Sequence, residues 1–196
     1  LVKYVWQDSG TNSFFQYGAD GQRWKHDYNW QWTTYTHTYI DRLFEKVYDS
    51  GSGKTTYKHY LFATGARFAL KLRDSWGGDT TDYLHADHLG STSNITDSSG
   101  NSLVGESFDA FGDRRGTAWT GDPTSGELSM INDTTRRGCT SHEVLDSTAL
   151  VHMNGRVFNP VVGRFVSADP FTDCGLGTQG WNRYSYIGNR ALSGTD

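Results

Sequence analysis

Short aromatic groups that favour β-strands recur along the first half of the chain at intervals of about 21 to 25 residues. These groups are Phe15-Gln16-Tyr17, Tyr39-Ile40, Tyr60-Leu61-Phe62, Tyr83-Leu84-His85 and Ser107-Phe108. Between them lie segments rich in Asp, Ser and Gly, which tolerate the positive φ angles of tight turns. The pattern predicts antiparallel β-hairpins stacked side by side, each marginal alone and stabilised by its neighbours.

The composition supports an all-β fold. Only 35% of the 196 residues are hydrophobic, whereas 14% are aromatic and 23 are glycine. Tyr, Phe and Trp therefore supply bulk that aliphatic residues usually supply, a mixture that favours strands and turns over helices. No stretch with helical spacing of apolar residues is longer than about two turns. We predict antiparallel β-hairpins throughout.

Charge and hydropathy exclude several classes of protein. The formal net charge is −4, and the basic residues are scattered singly or in pairs such as Arg114-Arg115, so no basic face for nucleic acid is expected. The apolar runs are too short to cross a hydrocarbon core of about 30 Å. The chain begins without the features of a signal peptide, which suggests a fragment of a longer protein. Cys139 and Cys174 are too few for a disulfide framework and are expected to be independent.

The C-terminal quarter, from His152 to Asp196, contains two motifs with fixed spacing: MNGRVFNPVVGRFVSADP at 153–170 and NRYSYIGNRAL at 182–192. They resemble the signature of the RHS-repeat-associated core domain family, whose members read close to MNGR-Y-DP-x-x-GRF-x-S-x-DP and then N-x-Y-x-Y-x-x-N-x-P-L. Two earlier segments, Phe15 to Arg23 and Phe108 to Arg114, resemble the YD repeat of the same wider family. We therefore expect degenerate hairpin repeats at 1–136, with a surface loop near 116–137, and a core module at 137–196.

The resemblance implies a function in encapsulation. In this family the hairpins form part of a large β-shell that is closed by the core module and holds a C-terminal toxin domain. The expected partners are the remainder of the shell, that toxin domain and delivery-machine proteins, and the expected location is secreted or on a bacterial cell surface. No cofactor and no turnover of a metabolite are implied.

The resemblance also implies a catalytic alternative, a single self-cleavage by two aspartates. The matching residues are Asp169 and Asp196, of which Asp169 would act as base and Asp196 as acid, while Arg164 would orient the charge. Two close carboxylates cannot both ionise easily, so one can donate a proton while the other activates water. The simpler interpretation is that Asp169 forms an Asx turn before Pro170.

A histidine-rich segment, His85-Ala86-Asp87-His88, has metal-ligating residue types and could be joined by His59 or His142. The family resemblance instead implies that these side chains brace a turn, and we expect no metal. His142 and Glu143 could also be an acid/base pair, although a turn role is expected because no second catalytic group is apparent.

A second alternative function is carbohydrate binding at a cell surface. Trp30, Trp32, Tyr35 and Tyr39 are spaced evenly enough to lie on one face of a sheet, where aromatic rings could stack on sugars. The other interpretation is that these side chains line the inside of the shell.

Overall fold

The computed structural model describes residues 1–6, 10–30, 32–172 and 174–195, with side chains described throughout except at 174–177. The chain forms two compact units, which we treat separately. The ladder unit comprises Val2–His85 and Asn94–Leu103, and the core unit comprises Leu1, Ala86–Ser93 and Val104–Asp196.

The ladder unit is built on a sheet of ten strands, each hydrogen-bonded to the next in chain order. The strands are β1 (Tyr4–Trp6), β2 (Asn12–Tyr17), β3 (Arg23–Trp30), β4 (Thr33–Ile40), β5 (Phe44–Asp49), β6 (Thr55–Ala63), β7 (Ala66–Asp74), β8 (Asp79–Ala86), β9 (Thr92–Thr96) and β10 (Ser102–Gly105). The pairs from β1 to β8 are antiparallel. This consecutive ladder confirms the predicted all-β fold of antiparallel hairpins.

Side chains alternate across the ladder as a half-covered sheet requires. On β2, Phe15 is buried while Phe14 is exposed, and on β8 Leu84 is buried while Tyr83 is exposed. The buried face is partly polar, because it includes His26, His37, Glu45 and Lys58. Few aliphatic side chains are available, so aromatic rings and paired polar groups fill this face instead.

The same turn recurs in both units and explains why Asp and Gly punctuate the sequence. At Asp97, the carboxylate Oδ1 accepts hydrogen bonds from the N–H groups of Ser99 and Asn101, at 2.8 and 2.9 Å. Gly100 sits in the same turn with φ +84°, a conformation that glycine adopts without strain. Asp74, Asp87 and Asp109 accept backbone hydrogen bonds from the residues two and four positions later in the same way.

The core unit holds two small antiparallel sheets. The first pairs β11 (Ser107–Phe108) with β12 (Arg114–Arg115), and the second orders β13 (Glu143–Leu145), β14 (Leu150–Met153), β15 (Arg156–Asn159) and β16 (Arg164–Phe165). Three 3-10 segments, Cys139–Ser141, Cys174–Trp181 and Ile187–Asn189, complete the unit. Its hydrophobic cluster contains Val144, Val151, Met153, Phe158, Phe165, Tyr186 and Ala191.

The segment that we expected to be a surface loop contains helix α1 (Ser125–Asp133), which corrects that expectation in part. Thr124 caps the helix: its hydroxyl accepts from the Glu127 N–H, and the Glu127 carboxylate accepts from the Thr124 N–H. This capping box was readable as Thr-x-x-Glu. Ile131 is the buried residue of the helix. The segment therefore has no apolar stripe with helical spacing from which the helix could be predicted.

The expected boundary near Arg136, between the hairpin repeats and the core module, does not coincide with the division of the chain into two units. This boundary stays a prediction. Residues on both sides of position 136 belong to the core unit. Arg114 and Asp146, which are 32 residues apart, form a buried ion pair within it. None of the helices in the described part of the chain has the length and apolarity needed to span a bilayer.

Candidate functional site

Both carboxylate oxygens of Asp169 have partners in the core unit. Oδ1 accepts the N–H of Phe171 at 2.9 Å, which is an Asx turn, and Oδ2 pairs with Nη1 of Arg156 at 2.8 Å. The Asp169 N–H donates to the carbonyl of Arg183 at 2.8 Å. The side chain remains about one-third exposed, at 31%. Asp169 is therefore held in one orientation while one side of its carboxyl group is open.

Arg156 owes its position to the β15–β16 hairpin. The strand places its guanidinium over the ring of Phe165, 3.6 Å from the centroid, which is a close cation–π contact. Its side chain is only 14% exposed. A guanidinium that is stacked in this way cannot swing freely, so it presents a fixed positive charge to Asp169.

The structure does not pair Asp169 with Arg164, the two members of the predicted catalytic group that lie within the described residues. Arg164 lies on β16 with its side chain exposed, and within the described residues the ion-pair partner of Asp169 is Arg156 rather than Arg164. Asp196 lies outside the described residues. The predicted roles of Asp169, Asp196 and Arg164 therefore stay predictions. Sequence reasoning missed Arg156, although the Arg of the MNGR motif and the Asp of the following motif flank a single hairpin.

A cavity of about 130 Å³ lies within the core unit. The turn at Asp87, the turn at Asp109 and the aromatic rings of Phe108 and Tyr186 line it. Cys139 also lines the cavity, and burial raises the pKa of its thiol to about 11. Because the thiolate is the nucleophilic form, this buried and free cysteine has a packing role.

A buried ion network ties β12 to the segments around it. Arg114 pairs with Glu106 and donates from Nε to Asp146 Oδ1 at 2.7 Å. Burial alone would lower the pKa of the Arg114 guanidinium, but the charges of Asp146 and Glu106 outweigh it and raise that pKa. A second buried pair joins Arg136 to Glu143. Removing one member of such a network strands a charge in the interior.

The histidine-rich segment has local hydrogen-bond partners. His85 Nε2 lies 3.1 Å from the Thr96 hydroxyl within the ladder unit. In the core unit, His142 Nδ1 lies 2.8 Å from the Thr140 hydroxyl, while Glu143 pairs with Arg136. Within the described ranges, no group of three or more His, Cys, Asp and Glu side chains is arranged to hold a metal ion.

The predicted aromatic platform is not one surface, which corrects that hypothesis. Tyr39 is buried beneath the guanidinium of Arg23, 4.3 Å from the ring centroid, and Tyr35 stacks on Tyr28 at 4.9 Å. Trp30 and Trp32 are instead exposed, Trp32 completely. By register, Trp30 at the end of β3 lies on the same face as Tyr35 but is exposed, whereas Trp32 lies in the turn between β3 and β4.

This chain resembles known proteins in its three-dimensional structure. No family model matches the sequence, and no curated protein matches it. The fold matches the crystal structure of TcdB2-TccC3-Cdc42 with a TM-score of 0.75 at 19% identity, covering 98% of this chain and 10% of that one. It also matches TcdB2-TccC3 without its hypervariable C-terminal region, with a TM-score of 0.73 at 18% identity over 98% of this chain and 10% of that one.

A third match is the Tc holotoxin pore of Photorhabdus luminescens in which one aspartate of TccC3 is replaced by alanine. Its TM-score is 0.73 at 22% identity, and the match covers 98% of this chain and 9% of that one. The chain thus spans about a tenth of the length of these structures. At these identities the likeness concerns the fold: the chain has the RHS-like fold of a segment of the Tc toxin TcdB2-TccC3 chains.

Proposed function

We propose that this chain is a structural segment of an RHS-type toxin shell that encapsulates and presents a C-terminal toxin domain. The observation that carries the proposal is the match of nearly the whole chain to Tc toxin chains, at a TM-score of 0.75. The function is then structural. The ladder unit forms part of the wall of the shell, and the core unit helps to close the shell.

The buried face of the ladder has contacts that would keep the strands of a shell wall in register. It is held by fixed polar pairs: His37 Nδ1 lies 2.6 Å from Glu45 Oε1, and the Tyr60 hydroxyl donates to Glu45 Oε2 at 3.0 Å. Buried polar groups with satisfied hydrogen bonds specify strand register, and each hairpin gains most of its stability from the next one. Such a sheet can be extended by repetition without a separate globular core.

The partners proposed for this chain follow from the same role: the remainder of the shell, a C-terminal toxin domain and proteins that deliver the complex. One matched structure is that of TcdB2-TccC3, and another is a Tc holotoxin pore that carries a substitution in TccC3. We propose a secreted or surface location on bacterial cells for the assembled protein.

Protease protection tests the shell. In the natural protein that contains this chain, we expect the region after the core unit to resist proteinase K until the shell is denatured. Gly112→Val should abolish the protection, because a side chain there would overlap the Cys139 sulfur in the core unit. Gly100→Val is the matched control, because Gly100 has a similar φ of +84° and an added Cβ there meets no atom within 4 Å. A downstream region that is digested in the unaltered protein as fast as a free domain would contradict encapsulation.

The geometry at Asp169 supports a second candidate function, a single self-cleavage. A stacked arginine and a backbone N–H fix the orientation of the Asp169 carboxylate, and a fixed orientation is what a carboxylate that acts on a peptide bond requires. In a protein extended past Asp196, Asp169→Asn and Arg156→Gln should each leave the chain uncut on a denaturing gel, while Asp122→Asn, at an exposed position outside helices and strands, should be cut normally. An extended unaltered protein that stays intact would exclude self-cleavage and leave the shell proposal untouched.

A further inference from the structure

The backbone of Asp169 is held on both sides by one residue of the core unit, Arg183. The Asp169 N–H donates to the Arg183 carbonyl at 2.8 Å, and the Asp169 carbonyl accepts a hydrogen bond from Nε of the Arg183 side chain. In a regular antiparallel pair, two facing residues exchange two backbone hydrogen bonds. Here the Arg183 N–H donates instead to the carbonyl of Trp181, at 3.1 Å. The guanidinium therefore supplies the donor that the backbone does not.

The segment that carries Arg183 is itself fixed in the core unit. The Asn182 side chain accepts the N–H of Tyr184 through Oδ1 at 3.3 Å, which forms a turn around Arg183. The Tyr184 carbonyl accepts the N–H of Phe165 on β16 at 3.0 Å. Because these hydrogen bonds join the segment to the edge of the β13–β16 sheet, Arg183 reaches Asp169 from a defined point.

The residue after Asp169 removes one other anchor of the backbone. Pro170 has no N–H, so the chain beyond Asp169 cannot donate a backbone hydrogen bond at that position. The Asp169 carboxylate is held separately, by Arg156 and by the N–H of Phe171. The two arginines consequently fix different parts of one residue. Arg156 fixes the side chain of Asp169, and Arg183 fixes its backbone.

We infer that Arg183 is a positioning residue for Asp169 in self-cleavage, and this inference rests on that second candidate function. In the reaction, the Asp169 carboxylate takes a proton from water, and the water oxygen bonds to the carbon of the scissile carbonyl. The C–N bond then breaks as the leaving nitrogen takes a proton from the second acid, which is predicted to be Asp196. Arg183 acts on these steps through Asp169. It keeps the carboxylate aimed, and its positive charge favours the ionised form of a neighbouring base.

The rate of self-cleavage in a protein extended past Asp196 tests the inference, measured as the appearance of cut chain on denaturing gels. Because a small misplacement of a reacting group slows a reaction strongly, Arg183→Met should slow the cut about tenfold or more. Arg183→Lys keeps a positive donor and should stay within about threefold of the unaltered rate. Arg190→Met is the matched control, since Arg190 is another exposed arginine of the same segment. It should change the rate less than about twofold.

The pH dependence of the rate separates positioning from a contribution to folding. Removing a positive charge beside the base disfavours its ionised form. The acid limb of the rate profile should therefore move to higher pH by about half a unit in Arg183→Met. The limb should stay in place in Arg183→Lys, which keeps the charge. Thermal unfolding of both variants checks that the core unit is folded.

The outcomes distinguish the inference from the function on which it rests. An unaltered extended protein that stays intact would rule out self-cleavage and the inference together. If the unaltered protein is cut, an Arg183→Met rate equal to that of the unaltered protein or of Arg190→Met would overturn the inference alone. So would an Arg183→Lys variant as slow as Arg183→Met. A slower Arg183→Met with an unmoved acid limb would also overturn it, because Arg183 would then contribute to folding and not to the geometry or charge at Asp169.

Discussion

The ladder unit and the core unit use the same Asp-Gly turn for different purposes. In the ladder, Gly100 ends a turn in open space, where an added side chain would meet no atom within 4 Å. In the core unit, Gly112 occupies the equivalent place after Asp109 and packs directly on the Cys139 sulfur. The turn is thus a repeated backbone device, and the surrounding packing decides whether it only reverses the chain or also seals an interior.

The two units also differ in how they bury charge. The ladder spreads its buried polar groups along one face of a sheet, whereas the core unit concentrates Glu106, Arg114 and Asp146 in one network. A sheet face tolerates the loss of one buried polar contact because the backbone hydrogen bonds between neighbouring strands remain. In the core unit, one guanidinium joins three segments, and no other contact replaces it when it is removed. The free energy of unfolding of the core unit should therefore be more sensitive to single substitutions.

The largest effect is expected for Arg114→Met. It leaves the carboxylates of Glu106 and Asp146 buried without their cation and should cost about 3–5 kcal/mol of the free energy of unfolding. Urea denaturation measured by circular dichroism tests this value. Arg73→Met is the control, because Arg73 lies at an exposed position in the ladder and its pair with Asp79 should contribute at most about 1 kcal/mol. Equal losses would contradict the proposed difference between the units.

A smaller contrast is expected between the two equivalent glycines. Gly100→Ala forces alanine into a left-handed conformation and should cost about 1–2 kcal/mol. Gly112→Ala carries the same backbone cost and also overlaps Cys139, which adds about 1–3 kcal/mol of overpacking. Thermal unfolding of both variants measures the difference. If Gly112→Ala is no worse than Gly100→Ala, the turn does not seal the core unit.

Removing the turn carboxylate should make stability less dependent on pH. Hydrogen bonds from Asn101 and Ser99 lower the pKa of Asp97 in the folded protein. Stability from this group is therefore present above the unfolded pKa of about 3.9 and is lost as pH falls through the lower folded pKa. Asp97→Asn should unfold with a flatter pH profile below pH 4 than the unaltered chain. Identical profiles would show that the turn hydrogen bonds do not distinguish the two protonation states.

The smallest effect is expected at the cap of α1. Thr124→Ala removes the hydroxyl that accepts from the Glu127 N–H and should cost about 1 kcal/mol. Thr124→Ser, which keeps the hydroxyl, should restore nearly all of it. Hydrogen exchange of the α1 amides is the measurement, since local fraying will exceed any global change. Unchanged exchange in Thr124→Ala would mean that packing of Ile131 alone holds the helix.

Much of the fold could be predicted from sequence because its determinants are local. The interval of the aromatic groups and the residues of the turns predicted the hairpins that the ladder shows. Apolar periodicity does not predict helix α1, because Ile131 is the buried residue of that helix and its remaining faces are polar or exposed. The aromatic platform failed for another reason: spacing does not say which rings stay accessible, and Tyr39 is buried beneath Arg23 while Trp32 lies in a turn outside the regular strands.

The sequence by itself determined the strand class, the turn positions and the motifs around Asp169, because each depends on residues close together along the chain. Only the tertiary structure decided that Arg156 rather than Arg164 contacts Asp169 and that Arg114 joins Glu106 to Asp146. These arrangements depend on strand order and register. Both are fixed by the summed packing of many distant residues, which no local spacing encodes.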